Sequence, residues 1–373
     1  MHDVVSGLRL RNGKPTEQFV EQRVAQNALS WVTNNSVNTK ADKALLKLGK
    51  DPINQTAAAG LSAYDFSDVK GHVVPRRALE VAAAGSHNVL MMGPPGTGKS
   101  MLASCLSSVL PPMTEQEALE AASVASVSHG DYEAISYGER PFRSPHHSSS
   151  STALIGGGYR AVPGEISLAH NGVLFLDEMA EFPRRALDAL REPLETGVVH
   201  VSRLAHRATY PSKFQLIGAT NPCPCGYLGD VSNRCECTES QLQKYRGRLS
   251  GPLLDRIDLQ IVVGREETES LFQSDMAESS FDIRERVADC RSIQFERQGC
   301  ANQHIGAPNL LELCSIDRDA VDFLATATKQ LKLSHRAVHR SLRVARTIAD
   351  LSNSPSVLSM HIGEALSYRL PSS

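Results

Sequence analysis

The sequence contains no apolar run that reaches the roughly 18 residues of a membrane-spanning helix, so no membrane partner is expected. Its first residues, Met1-His2-Asp3-Val4-Val5, lack the basic start and apolar core of a secretory signal. The expected compartment is therefore the cytoplasm, where the eight cysteines should be thiols or metal ligands rather than disulfides. A charge excess is missing too. Thirty-nine Lys+Arg stand against 41 Asp+Glu, a net charge of −2, which excludes a globally basic nucleic-acid binder but leaves room for a local basic patch. No internal repeat is evident. With 41% hydrophobic and 21% charged residues the composition is that of a soluble globular protein, not a collagen-like, disordered or coiled-coil one. Its 373 residues are enough for two domains at about 150 residues each.

What is present begins weakly. Residues 1–64 read as an N-terminal extension, with helical periodicity at 17–31 and 40–48 and loop composition between them. From Tyr64 onward the signals sharpen. The pattern predicts a helix over 78–84 closed by Gly85, a short strand over 87–92, and a helix over 100–110 stopped by Pro111-Pro112. Apolar runs predict further strands at 173–176, 214–217 and 257–263. Strands separated by helical stretches imply a parallel α/β sheet. From about Phe281 the pattern turns helical, over 283–298, 317–331, 335–351 and 361–368. The acidic, Ser-rich stretch 266–280 reads as a linker. The expected organisation is an α/β nucleotide-binding domain over 65–265 and a small all-α domain over 266–373.

Between the first strand and its helix lies Gly93-Pro94-Pro95-Gly96-Thr97-Gly98-Lys99-Ser100, a complete P-loop in its required context. Glycines let backbone N–H groups converge on phosphate oxygens, and the following helix N-terminus adds its dipole. Lys99 is expected on the β- and γ-phosphates of ATP, and Ser100 on Mg²⁺. A second signal pairs with it. Gly172-Val173-Leu174-Phe175-Leu176-Asp177-Glu178 is an apolar strand ending in two carboxylates. Asp177 suits the Mg²⁺ shell and Glu178 suits the base that polarises the attacking water. A third strand ends at Asn221, which either positions that water or merely forms a turn.

Four cysteines crowd into one loop as Cys223-Pro224-Cys225 and Cys235-Glu236-Cys237. Four thiolates can close a structural tetrahedral zinc site; the alternative is four reduced surface thiols. His146-His147 lies in a Pro- and Ser-rich loop, where adjacent histidines chelate one ion poorly, so a structural or interface role is expected. Cys105, Cys290, Cys300 and Cys314 read as ordinary thiols. Between 197 and 213 β-branched residues alternate on either side of a short polar turn, which predicts a β-hairpin. It carries Arg203, Arg207, Lys213 and two histidines but no acid.

Further segments are distinctive: Phe66-Ser67-Asp68-Val69-Lys70-Gly71, Arg140-Pro141-Phe142-Arg143-Ser144-Pro145-His146-His147, Ala153-Leu154-Ile155-Gly156-Gly157-Gly158, Pro163-Gly164-Glu165-Ile166-Ser167-Leu168-Ala169-His170-Asn171, Asn221-Pro222-Cys223-Pro224-Cys225-Gly226, Leu249-Ser250-Gly251-Pro252-Leu253-Leu254-Asp255-Arg256-Ile257-Asp258, Ser334-His335-Arg336-Ala337 and Val344-Ala345-Arg346-Thr347-Ile348-Ala349-Asp350. With the P-loop and Asp177-Glu178, they make the chain resemble an AAA+ ATPase from about Phe66 to Tyr368. More narrowly it resembles the YifB/ComM family of magnesium-chelatase-like ATPases. The resemblance implies an AAA+ αβα sandwich with a helical lid. It also implies that Arg256 is the arginine finger reaching a neighbouring subunit's γ-phosphate, and that Arg336 is sensor 2, linking the lid to nucleotide. A surface or lid salt bridge is the alternative for each. A finger acting in trans requires a homo-oligomeric ring, and the family suggests a hexamer. In AAA+ motors of this clade the hairpin projects into the central pore, where Arg203, Arg207 and Lys213 would meet a DNA backbone. The loop 155–162, with Arg160, would be a second pore element. Family members usually begin with a Lon-protease-like domain, which cannot fit ahead of Gly93, so a shortened paralogue or a fragment is expected.

Three functions follow: a ring motor on DNA in branch migration or unwinding during recombination or natural transformation, a chelatase-like remodeller of a protein partner, and an ATP-binding regulatory paralogue. An intact hydrolytic set favours the first two.

Overall fold

The computed structural model describes residues 64–128, 137–159, 161–202, 207–230, 234–266 and 278–369, and a two-residue antiparallel pair, Leu10–Arg11 with Lys14–Pro15. The expected helices at 17–31 and 40–48, most of the linker, and Arg160 and Arg203 lie outside the described residues.

Helix α1 (Val73–Gly85) is followed by strand β1 (Val89–Met92), the glycine loop and helix α2 (Lys99–Val109). Helix α3 (Glu115–Val127) comes next, started by a capping box between Thr114 and Glu117. Strands β2 (Phe142–Arg143) and β3 (Val173–Leu176) precede a hairpin of β4 (Val198–Ser202) and β5 (Arg207–Pro211). Strand β6 (Gln215–Thr220), helix α4 (Glu239–Arg246) and strand β7 (Leu259–Val262) complete the α/β part. Then follow α5 (Ser280–Gln298), α6 (Ala307–Cys314), α7 (Arg318–Gln330), α8 (His335–Leu351) and α9 (Ser359–Ser367).

Five strands form one sheet in the order β7-β1-β6-β3-β2, all parallel. Parallel sheets are covered on both faces, which explains why their strands read as continuous apolar runs rather than alternating ones. Val89 and Met91 of β1 join Val173 and Phe175 of β3 in a core under α1 and α2. Leu90, Leu174, Leu176 and Leu216 point the other way, onto Leu154, Ile166, Met179 and the hairpin residues Val199 and Val201. These are three layers, the αβα architecture expected from the sequence. Each fully buried aliphatic side chain here contributes roughly 1.5–3 kcal/mol.

The C-terminal helices do not build a separate core. Residues of α5 and α8, including Val287, Val344 and Ile348, share one apolar cluster with α1 and α2. A buried polar knot reinforces the junction. Asp350 accepts from Arg297 at 2.6 Å, from Arg346 at 3.1 Å and from Asn302 at 2.8 Å. Asn302 and His87 both reach Thr347 Oγ1. The segment Val344–Asp350 is thus a structural element. Among the described residues no helix is long and apolar enough to cross a membrane.

Candidate active site

Because β1, β3 and β6 are parallel and in register, their C-terminal ends lie side by side, the edge at which open α/β sheets bind ligands. Thr220 pairs with Met92, and Gly218 with Leu176. The next residue or two after each strand is one of the sequence-predicted site residues: Gly93 after β1, Asp177 and Glu178 after β3, Asn221 after β6. The Gly93 N–H donates to Thr220 O at 3.1 Å, and Met92 O accepts from Val263 N at 2.7 Å, so the loop leaves the sheet firmly held. A Cβ on Gly93 would sit 2.0 Å from the Val263 carbonyl oxygen, so the first glycine is there for backbone approach. Gly96 and Gly98 have φ of +77° and +79°, a region that favours glycine.

Lys99 opens α2 and turns its ammonium back into the loop. Its Nζ donates to Gly93 O at 2.8 Å and Pro94 O at 2.7 Å, and lies 3.4 Å from Asn221 Oδ1. Burial pulls the Lys99 ammonium below its usual range, while the Asp177 and Glu178 carboxylates oppose that shift. Ser100 Oγ donates to Asp177 Oδ2 at 2.8 Å. The hydroxyl and carboxylate oxygens expected on Mg²⁺ are therefore already adjacent, a donor set that fits a hard cation sharing its shell with water and phosphate. Asp177 Oδ1 also accepts the Glu178 N–H at 2.9 Å. Glu178 has φ +49°, which turns its side chain out of the strand line.

The structure adds to this site a residue whose sequence context points only to a structural or interface role. His147 Nδ1 is 3.2 Å from Glu178 Oε2, so the second histidine of the pair sits on the candidate base. The loop after β2 brings it there, because β2 pairs with β3.

The two arginines gather at another place. Asn88, the residue before β1, holds the Arg256 main chain through Nδ2 to Arg256 O at 3.1 Å. Arg256 thus lies at the opposite end of β1 from the glycine loop, on the order of 13 Å along a four-residue strand. Its guanidinium donates to Pro252 O at 2.7 Å and to Glu195. Arg336, at the start of α8, approaches the same Glu195 carboxylate at 3.6 Å. Glu195 carries no signal in the sequence; only the tertiary arrangement reveals it as the meeting point.

The hairpin forms as expected, with Ser202 opposite Arg207 and Val198 opposite Pro211. Val199, Val201, Ala208 and Tyr210 are buried, and Arg207 and Lys213 are exposed. Tyr210 OH donates to Ala161 O at 2.7 Å, which ties the hairpin to the loop after Gly156–Gly157. Cys223, Cys225, Cys235 and Cys237 come together, with all four sulfurs within 4.8 Å of one another. Three of their separations are 3.3, 3.8 and 3.6 Å. A tetrahedral Zn²⁺ with Zn–S of ~2.3 Å sets its sulfurs ~3.8 Å apart, so the cluster fits that ion.

A family model for magnesium chelatase subunit ChlI matches residues 65–271, and one for its C-terminal part matches 277–369. The chain belongs to the magnesium chelatase ChlI family, within the AAA+ group. It is 47% identical over 307 residues to the uncharacterized protein YifB of Escherichia coli, covering 82% of this chain and 60% of that protein. It is 46% identical over 328 residues to competence protein ComM of Haemophilus influenzae, covering 87% and 64%. A more distant likeness, 24% over 324 residues, is to the DNA replication licensing factor Mcm6 of Drosophila melanogaster, covering 84% and 35%. The chain spans less than two thirds of the length of YifB and ComM.

Proposed function

We propose that this chain is the ATP-hydrolysing subunit of a ring motor whose track is DNA. The observation that carries the reading is the convergence of Lys99, Ser100, Asp177, Glu178 and Asn221 on one sheet edge around a P-loop. In this reading the backbone from Gly93 to Gly98, with Pro94, Pro95 and Thr97, cradles the phosphates, and Lys99 leaves its own carbonyls to bind them. Ser100 and Asp177 hold Mg²⁺, which supplies charge neutralisation at the β- and γ-phosphates. Glu178 takes the proton of the attacking water, His147 orients that carboxylate, and Asn221 aligns the water. Arg256 and Arg336 complete the site of a neighbouring copy in a hexameric ring. Arg203, Arg207 and Lys213 on the hairpin contact a phosphate backbone. The cysteine cluster holds a structural zinc ion. The DNA track is supported by the basic hairpin and by the names of the two relatives, a competence protein and a replication licensing factor.

A second reading, remodelling of a protein partner, is favoured by the family model itself, which is that of a chelatase subunit. ATPase rate with and without DNA separates the two. The motor reading expects Lys99→Ala to lose nucleotide binding, Glu178→Gln to bind nucleotide without turnover, and DNA to raise the wild-type rate severalfold. Hydrolysis by Glu178→Gln near the wild-type rate would overturn the base assignment. A wild-type rate indifferent to DNA would favour the protein remodeller.

A further inference from the structure

Between β6 and α4 the described residues, 221–230 and 234–238, form no helix or strand, and they start directly beside the nucleotide edge. Long irregular stretches in a compact domain need a reason for their order. Two contacts give this one a purpose. Its turn Cys223–Gly226 is closed by Gly226 N–H to Cys223 O at 3.0 Å, with Cys223 fully buried. Gly226 stands at φ +86°, and a Cβ there would lie 2.7 Å from Pro95 Cδ and 3.3 Å from Pro95 Cγ. The loop backbone thus rests on the ring of Pro95, with no side chain between them. Pro95 is flanked by Pro94, whose carbonyl accepts from Lys99, and by Gly96, whose left-handed φ forms the phosphate-binding bend. Just before this turn the loop begins with Asn221, whose Oδ1 is 3.4 Å from Lys99 Nζ. Any displacement of this turn is therefore passed to both sides of the lysine.

What holds the turn is the cysteine cluster. Cys225 and Cys235 are ten residues apart in sequence and 3.6 Å apart at sulfur, so the cluster draws together the two ends of the loop. Thiols are weak hydrogen-bond partners and cannot close such a loop strongly by themselves, whereas thiolate–metal bonds can.

We propose that a zinc-class ion on Cys223, Cys225, Cys235 and Cys237 is a strut of the nucleotide site, pressing Gly226 against Pro95 so that metal loading sets nucleotide affinity. This deepens the motor reading and rests on its assignment of the P-loop. It makes the metal a determinant of ATP binding without any contact between ion and nucleotide.

The loop supplies its own control. Gly229 has φ +76°, also left-handed, but a Cβ there meets nothing within 4 Å. Gly226→Ala and Gly229→Ala thus impose a similar backbone strain in one loop, and only the first pushes on Pro95. The experiment measures zinc by elemental analysis and the affinity for a fluorescent ATP analogue in excess Mg²⁺, on the full chain. Wild type should carry one zinc per chain. Removing it with a chelator should weaken nucleotide binding at least tenfold, and adding zinc back should restore it. Gly226→Ala should keep its zinc and lose at least tenfold in affinity; Gly229→Ala should stay within twofold on both. Should Gly226→Ala not fold, the stripped and reloaded wild type decides alone. Zinc-free protein that binds nucleotide as tightly as loaded protein overturns the proposal, as does a zinc-loaded Gly226→Ala of unchanged affinity. Failure of the P-loop assignment looks different: wild type would then carry zinc and bind no nucleotide.

Discussion

At the scale of single residues, the nucleotide edge is built from groups that have few alternatives. Lys99 satisfies its buried ammonium with two loop carbonyls, Ser100 and Asp177 satisfy each other, and Gly93 leaves room for a carbonyl. The opposite edge carries a different kind of residue. His87 is fully buried, its Nε2 on Thr347 Oγ1 at 2.8 Å and its Nδ1 3.9 Å from Asp258 Oδ2. Burial first, then the charges of Arg291, Arg343 and His304, lower its pKa from 6.5 to about 3. The unfolded chain therefore binds one more proton than the folded one between about pH 6.5 and pH 3. Stability is full above the unfolded value and falls as the pH drops through that window. From pH 7 to pH 5 the loss from His87 alone is on the order of 2 kcal/mol. His72, His304 and His361 are lowered too and act in the same direction. Urea unfolding at pH 7 and pH 5 checks this, with His87→Gln expected to flatten the difference by about that amount. An unchanged pH dependence in the variant would show that His87 is not the titrating group.

At the scale of elements, what can be read from the sequence depends on whether the signal is local. Strand β3 and helix α8 match the expected 173–176 and 335–351, because a continuous apolar run between Gly172 and two acids, and a helix after Ser334, are self-contained. Strand β2 is not readable. It is two residues long, and what makes it a strand is pairing with β3 in register, a contact made across some 30 residues. Helix α3 is missing from the expected elements although it does carry a local signal, the Thr114 and Glu117 capping pair. The site divides the same way. The members of the P-loop and the acid pair announce themselves by spacing, whereas His147 on Glu178, Glu195 between two arginines and Gly226 under Pro95 exist only after folding. The hairpin is an element whose form is legible in the sequence and whose partner is not. Its buried side anchors on Tyr210 and Ala161, leaving Arg207 exposed where it pairs with Ser202. If the hairpin tracks DNA, Arg203→Ala with Arg207→Ala should weaken binding and flatten its salt dependence. The log–log slope should fall by about 0.7 for each single-strand phosphate that is no longer neutralised. Binding measured across a salt series tests it, and a slope equal to wild type would move the hairpin to a protein partner.

At the scale of the whole molecule, the two ends of the parallel sheet have complementary contents. One end holds the phosphate loop, the acid pair and Asn221, which can bind and activate. The other end holds Arg256 and Arg336 drawn together on Glu195, beyond the far end of β1. A chain arranged in this way cannot easily deliver Arg256 to its own nucleotide, because Asn88 and the start of β7 fix its backbone at the wrong end of the sheet. In the proposed ring a second copy, turned so that its arginine end faces the first copy's phosphate end, would bring Arg256 and Arg336 to that site. Repeating that head-to-tail contact closes a ring if the rotation permits. There the γ-phosphate of the neighbour would compete with Glu195 for the same guanidinium groups, and the carboxylate would be a resting place given up on assembly. Arg256→Ala should therefore retain nucleotide affinity and lose turnover by a factor on the order of 10³, the scale of an arginine supplied in trans. Lys99→Ala should be inactive for the opposite reason, having its arginines and no nucleotide. Mixing the two inactive variants creates interfaces in which a good phosphate site from one meets a good arginine from the other. ATPase activity should reappear and peak at intermediate ratios. If no ratio restores turnover while mixed assemblies are seen by native mass measurement, Arg256 works within its own chain or only supports the fold, and the head-to-tail ring loses its chemical reason.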